Sequence, residues 1–222
     1  MRKTKFATGE YYHIYNRGVD KRAVFKDDFD LKRFFLAMSA FNTREPIGSI
    51  YEEYRPRIKN LEGQAKKQKG RLVNFICYCL NPNHFHFILQ QVADGGIPKF
   101  MHKLATGHTM FFNGKYKRSG SLFQGTYKAR YIVDNDYLLH LSAYVNLNFK
   151  IHKFGGLASK FVKSSWEEYI SAGRGRKGFC KKEIILNQFR GRAEYKKFAL
   201  STLPEIIERK KQEKELEKLL ID

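Results

Sequence analysis

Between Asn81 and Leu89 the chain passes from a turn signature to strict alternation. After Asn81-Pro82-Asn83, His84 and His86 alternate with Phe85, Phe87 and Leu89. Alternate residues of a strand share a face, so both imidazoles point to one side of a sheet and the apolar residues point into a core. The run Leu72 to Leu80 (LVNFICYCL) reads as a buried strand, and the Asn-Pro-Asn turn joins the two as a hairpin. Earlier, Tyr11, Tyr12, Ile14 and Tyr15 mark a first strand from Glu10 to Arg17, closed by Asn16-Arg17-Gly18. Behind Asp27 and Asp28, the residues Phe29, Leu31, Phe34, Phe35, Met38 and Phe41 recur at helical spacing until Pro46. A second helix is predicted from Ile97 to about Tyr116, and a fourth strand from Leu122 to Val133. Asp134-Asn135-Asp136 then caps a third helix running from Tyr137 to about Lys150.

The resulting β-α-β-β-α-β order predicts an α+β fold, a ferredoxin-like or split βαβ antiparallel sheet. Two helices cover one face and leave the other for function or for the third helix. Residues 1–155 form the predicted catalytic domain, with a basic insertion at 44–71. A small helical appendage at 156–203 carries Trp166, the only tryptophan, and a charged helical tail occupies 204–222.

Charge narrows the partner. Lys and Arg number 42 against 22 Asp and Glu, a net charge of +20. Such an excess attracts a polyanion through long-range fields and counterion release, which makes nucleic acid the leading partner. A membrane is not expected as partner, because no apolar run reaches about 18 residues and no basic helix has a clean apolar face. The basic N-terminus is followed by no apolar leader core, so a cytoplasmic location is expected. Cys77, Cys79 and Cys180 are odd in number, and the first two sit in an apolar strand pattern; they read as packing residues rather than as a disulfide or zinc framework.

The His pair is half of a metal site. On the third helix Tyr137, Tyr144 and Asn148 share one angular stripe, while Leu138, Leu141, Val145 and Phe149 form an adjacent apolar one. The polar stripe thus borders the contact that anchors the helix. Taken one at a time, a packing role for Tyr144, a helix-terminal role for Asn148 and a structural role for the histidines stand as alternatives.

Taken together, these segments resemble the single-tyrosine His-hydrophobic-His (HUH) transposases, which include insertion-sequence transposases, and especially their REP-associated tyrosine transposase branch. The resemblance rests on YHIYNRG at 12–18, NPNHFHFIL at 81–89, SGSLFQGTYKA at 119–129 and DYLLHLSAYVNLN at 136–148, and SSWEEYI at 164–170 extends it. It implies a metal-dependent endonuclease and strand transferase on single-stranded DNA, often at hairpin-forming repeats, acting as a monomer or a homodimer. By the same resemblance His84, His86 and Asn148 are the metal ligands, for Mg²⁺ or Mn²⁺, and Tyr144 is the nucleophile that forms a 5′-phosphotyrosine. Tyr137 is the second choice of nucleophile, and His13 has no assigned metal role. Asn16, Arg17, Arg118, Tyr127, Lys128 and Arg130 are expected to bind DNA through phosphate contacts or base stacking. One position departs from the branch: Phe149 stands where a proline commonly follows Asn148, so the helix is expected to run on past it. Two other readings remain, a domesticated DNA-binding protein of this fold without cleavage and an RNA-binding module of the same strand order.

Overall fold

A computed structural model describes residues 4–45, 47, 50, 70–151, 161–171 and 178–219, with the backbone alone described from 213 to 219. Most of the basic insertion assigned to 44–71 therefore lies outside the described residues, as do the first residues of the appendage and the last of the tail.

Strand β1 (Tyr11–Arg17) is followed by helix α1 (Asp28–Ala40), the hairpin β2 (Val73–Asn81) and β3 (His84–Gln91), and helix α2 (Gly96–Lys115). Strand β4 (Lys128–Tyr131) and helix α3 (Asn135–Asn146) follow, and a single turn α4 (Asn148–Ile151) comes next. Strand β5 (Lys163–Ser164), the short helices α5 (Trp166–Ile170) and α6 (Glu183–Leu186), and the long α7 (Arg192–Leu219) complete the chain. The sheet runs β4-β1-β3-β2-β5, with every pairing antiparallel. The first four strands have the split βαβ order expected from the sequence. Asp27 caps α1 by accepting from the Asp30 N–H, and Asp134 caps α3 by accepting from the Tyr137 N–H.

Alternation along the strands builds two cores. Tyr12, Ile14, Phe75, Phe85, Phe87 and Leu89 face α1 and α2 and join Phe34, Met38, Phe100 and Leu104. The opposite face carries Ile76, Cys77, Cys79 and Ile88, which pack under α3, α5 and α7 through Leu141, Val145, Trp166, Tyr169 and Tyr195. With both faces covered, β2 is buried along its whole length. The three cysteines are free and buried.

Four expectations are corrected. The fourth strand is limited to Lys128–Tyr131. Leu122 and Phe123 turn into the first core, Phe123 makes a lone bridge with Gly18, and Gly125 takes φ 67°, a left-handed conformation that ends the extended run. Gly18 has no room for a side chain there, since a Cβ would lie 2.2 Å from the Arg22 carbonyl oxygen. The third helix does not continue through Asn148. It ends at Leu147 (φ −102°, ψ 7°) without any proline, and Asn148 is drawn inward against Asn81 and His84. The appendage is not wholly helical, for β5 extends the sheet beyond β2. The boundary drawn at 203/204 falls inside α7, which runs through Pro204.

A buried polar network fastens α7 to the helix carrying Tyr144. Asn146 donates to the Tyr195 hydroxyl at 2.8 Å and accepts from Ser165 at 2.6 Å, and Ser165 also accepts from the Tyr78 N–H at 2.9 Å. The Tyr195 and Ser142 hydroxyls lie 3.1 Å apart. Every member is buried, so each bond replaces water that the groups have given up.

Candidate metal and phosphate site

The second face of the sheet opens at the β1/β3 end. Directly opposed residues of an antiparallel pair share a face, so the register places side chains there strictly. Tyr15 opposes His86, Arg17 opposes His84, and across the hairpin Cys79 opposes His86 and Asn81 opposes His84. On the other side of β1, Lys128 opposes Tyr15 and Arg130 opposes His13. One surface therefore carries His13, Tyr15, Arg17, His84, His86, Lys128 and Arg130.

His84 is held at both nitrogens. Its Nδ1 lies 2.7 Å from Asn83 Oδ1, and the Asn83 amide nitrogen donates to the Lys21 carbonyl at 3.0 Å. That second bond fixes which end of the amide faces the ring, so His84 Nδ1 carries the proton and Nε2 presents a lone pair. Nε2 is 3.0 Å from Asn148 Oδ1 and 2.9 Å from the Asn81 amide nitrogen. The same Asn81 nitrogen donates to Asn148 Oδ1 at 2.7 Å. Two lone pairs thus converge on one small donor group. Asn148 is fully buried, and its Nδ2 has no hydrogen-bond partner among the described residues.

His86 sits beside His84, with ring centres 5.2 Å apart and planes at 86°. Its Nδ1 meets His13 Nε2 at 2.9 Å, and Tyr15 lies parallel to both rings, 4.8 Å from His13 and 5.6 Å from His86. The Tyr144 ring stands edge-on to His86 at 5.4 Å and to His13 at 6.1 Å. From α7, Lys210 brings its ammonium to 5.9 Å from the Tyr144 ring centre. Burial, and then the cations Arg130 and Lys210, push His13 down to about 3, so it is neutral at physiological pH.

The structure therefore brings His84, His86, Tyr144 and Asn148 together. Tyr137 shares the stripe of Tyr144 but stands two helical turns away, about 10 Å along the axis. The six expected DNA contacts separate into two groups. Arg17, Lys128 and Arg130 lie on the histidine face, where Arg17 Nε bonds Gln124 Oε1. Asn16 points to the other side: it donates to the Gly125 carbonyl at 3.2 Å and, with Phe123 and Tyr127, lines a cavity of about 420 Å³ against α2. Arg118 is engaged with Asn113 at 2.9 Å and the Ser121 carbonyl at 3.1 Å. Sequence reading missed Asn81, Asn83, His13 and Tyr15 as groups that contact the histidines. The Asn-Pro-Asn turn and the His-x-Tyr alternation of β1 were the available signals, but the β1/β3 register needed to join them is tertiary. Lys210 had no signal at all.

Among the described residues, no three of His, Cys, Asp and Glu cluster as a metal site. The donor set does fit a hard divalent ion. Two ligands about 2.1 Å from one ion and at right angles stand about 3 Å apart, and His84 Nε2 and Asn148 Oδ1 are 3.0 Å apart. Among the described residues, no helix is long and apolar enough to cross a membrane.

No curated protein matches the chain. A solved structure of a REP-associated tyrosine transposase bound to a REP hairpin aligns with TM-score 0.48 and 10% identity, over 81% of this chain and 88% of that one. The family model described as IS200-like transposase matches residues 8–148, from just before β1 to the buried amide beside His84. The chain belongs to the IS200-like transposase family.

Proposed function

We propose that this transposase is a metal-dependent single-strand DNA endonuclease and strand transferase, with Tyr144 as nucleophile and His84, His86 and Asn148 as ligands for Mg²⁺ or Mn²⁺. The observation that carries the reading is the convergence of the His84 and Asn148 lone pairs, 3.0 Å apart, beside Tyr144 on a face bordered by Arg17, Lys128 and Arg130. The chemistry that an ion held there supplies is offset of negative charge at a nonbridging oxygen of the scissile phosphate.

The chain's own residues do the rest. The three cations hold the DNA backbone by its phosphates, which orients a phosphodiester without reading its bases. A phenol of pKa about 10 is a weak nucleophile at neutral pH, so the attack depends on a polarised phosphate beside Tyr144. The phenolic oxygen loses its proton and attacks phosphorus, the bond to the 3′-oxygen breaks, and that oxygen takes up a proton. The product is a 5′-phosphotyrosine and a free 3′-hydroxyl. Since the ester is exchanged and not hydrolysed, a second 3′-hydroxyl reverses the step and joins a new strand. The segments at 81–89 and 119–129 resemble the REP-associated branch, which makes a hairpin-forming repeat the first substrate to test.

The test is incubation of end-labelled single-stranded hairpin DNA with Mg²⁺ or Mn²⁺ and either the wild type or Tyr144→Phe. A covalent protein–DNA adduct with the wild type alone supports the reading. An adduct that persists in Tyr144→Phe transfers the role to another tyrosine, Tyr137 first. DNA binding without any adduct in the wild type replaces the reading with a non-cleaving DNA-binding protein.

A further inference from the structure

His13 takes no part in the ligand set just proposed, yet it makes the closest contact to one of those ligands. With nitrogens 2.9 Å apart, ring centres 5.2 Å apart and planes at 22°, His13 and His86 meet edge to edge along the N···N line and not face to face. Two neutral imidazoles joined this way share one proton, and its position decides what the far nitrogen of His86 can do. If His13 Nε2 donated, His86 Nδ1 would be the acceptor, its Nε2 would carry the hydrogen, and His86 could not bind a cation. If His86 Nδ1 donates, Nε2 is left with a lone pair. The neighbouring His84 has its proton fixed on Nδ1 by Asn83 Oδ1 at 2.7 Å. In that second case the two histidines have the same device from two unrelated elements, a hairpin turn for one and β1 for the other.

We propose that His13 is a positioning residue for the metal site: its Nε2 accepts the Nδ1 proton of His86, fixes that ring's tautomer and orientation, and leaves the His86 Nε2 lone pair for the ion. This rests on the metal reading above. Tyr15, parallel to both rings at 20–29°, keeps the pair in plane. Loss of such an outer partner ordinarily costs about 10–100-fold in metal affinity.

The experiment is Mn²⁺ titration of the full chain, followed by calorimetry and by the paramagnetic resonance of free Mn²⁺, for the wild type, His84→Ala, His13→Phe and His13→Gln. Thermal melts and metal-free hairpin binding are measured alongside. His13→Phe keeps a planar ring but no acceptor, and His13→Gln supplies an amide oxygen to the same proton. The expected result is Mn²⁺ binding by the wild type, its loss in His84→Ala, weakening by about 10–100-fold in His13→Phe, and recovery of most of that loss in His13→Gln, with every variant melting cooperatively and metal-free DNA binding unchanged. His13→Phe binding Mn²⁺ as the wild type does overturns the role of His13 and leaves the metal reading standing. Equal weakening in both His13 variants makes the residue one of packing and also overturns the proposal. A wild type that binds no Mn²⁺, or binds it independently of His84, overturns the metal reading itself.

Discussion

Acid should loosen this fold through a histidine far from the proposed chemistry. His108 on α2 is fully buried among the rings of Phe25, Phe34, Phe111, Phe112 and Phe123, with Nε2 donating to the Val24 carbonyl at 2.8 Å. Burial pushes its pKa down to about 4. The folded group therefore stays neutral where the unfolded one, with a pKa of about 6.5, takes up a proton. Its contribution is fully present above the unfolded value and is lost as pH falls from there towards the folded one. Linkage over these two values gives a loss of about 2 kcal/mol between about pH 7 and pH 5. His13 is shifted in the same direction and adds a background loss, so the comparison must be between variants. In urea unfolding at the two pH values, His108→Gln retains an uncharged donor for Val24 and should lose about 2 kcal/mol less than the wild type. Equal losses in the two proteins would refute the assignment.

Other outcomes follow from single contacts. Burial pushes Cys77 and Cys79 up to about 12 and Cys180 well above its usual range. The native protein should therefore react slowly with a thiol reagent and expose three reactive thiols in denaturant. Tyr195→Phe strands the buried Asn146 amide and should cost about 1–3 kcal/mol in urea unfolding. Asp30 is a buried carboxylate that accepts from Lys115 at 2.7 Å, Tyr116 at 2.8 Å and the Lys26 N–H at 2.9 Å, so Asp30→Asn should cost about 1.5–3 kcal/mol. Replacing Lys128 and Arg130 together by Gln should reduce the salt slope of single-strand DNA binding by about 1.4, while Arg118→Gln leaves it unchanged.

Much of this architecture was legible because each element had a local cause. The His-Phe-His alternation and the Asn-Pro-Asn turn defined the β2–β3 hairpin, and Asp27 and Asp134 marked helix starts by their capping chemistry. Apolar residues alone misled at Leu122 and Phe123, which are core residues without being strand residues. Sequence could not show that helix α3 breaks at Leu147, since there Asn148 turns to Asn81 and His84, which are distant in the chain. Nor could it divide the expected DNA contacts. Asn16 and Arg17 are neighbours in the chain, and a strand sends neighbours to opposite faces, but which face held the histidines depended on the β1/β3 register.

The hydrogen-bonded chain Ser165–Asn146–Tyr195 has a consequence for where the molecule can be cut. Its members come from α3, from the residue just after β5, and from α7, so it joins the region matched by the family model to residues beyond it. A fragment ending near Ile151 would keep Tyr144, His84 and His86 yet bare Ile76, Ile88, Leu141 and Val145 to water, and leave the Asn146 amide to find new partners. Lys210 would go with the discarded part. The stretch matched by the family model is thus shorter than the packed unit, whose second core takes in α5 and α7.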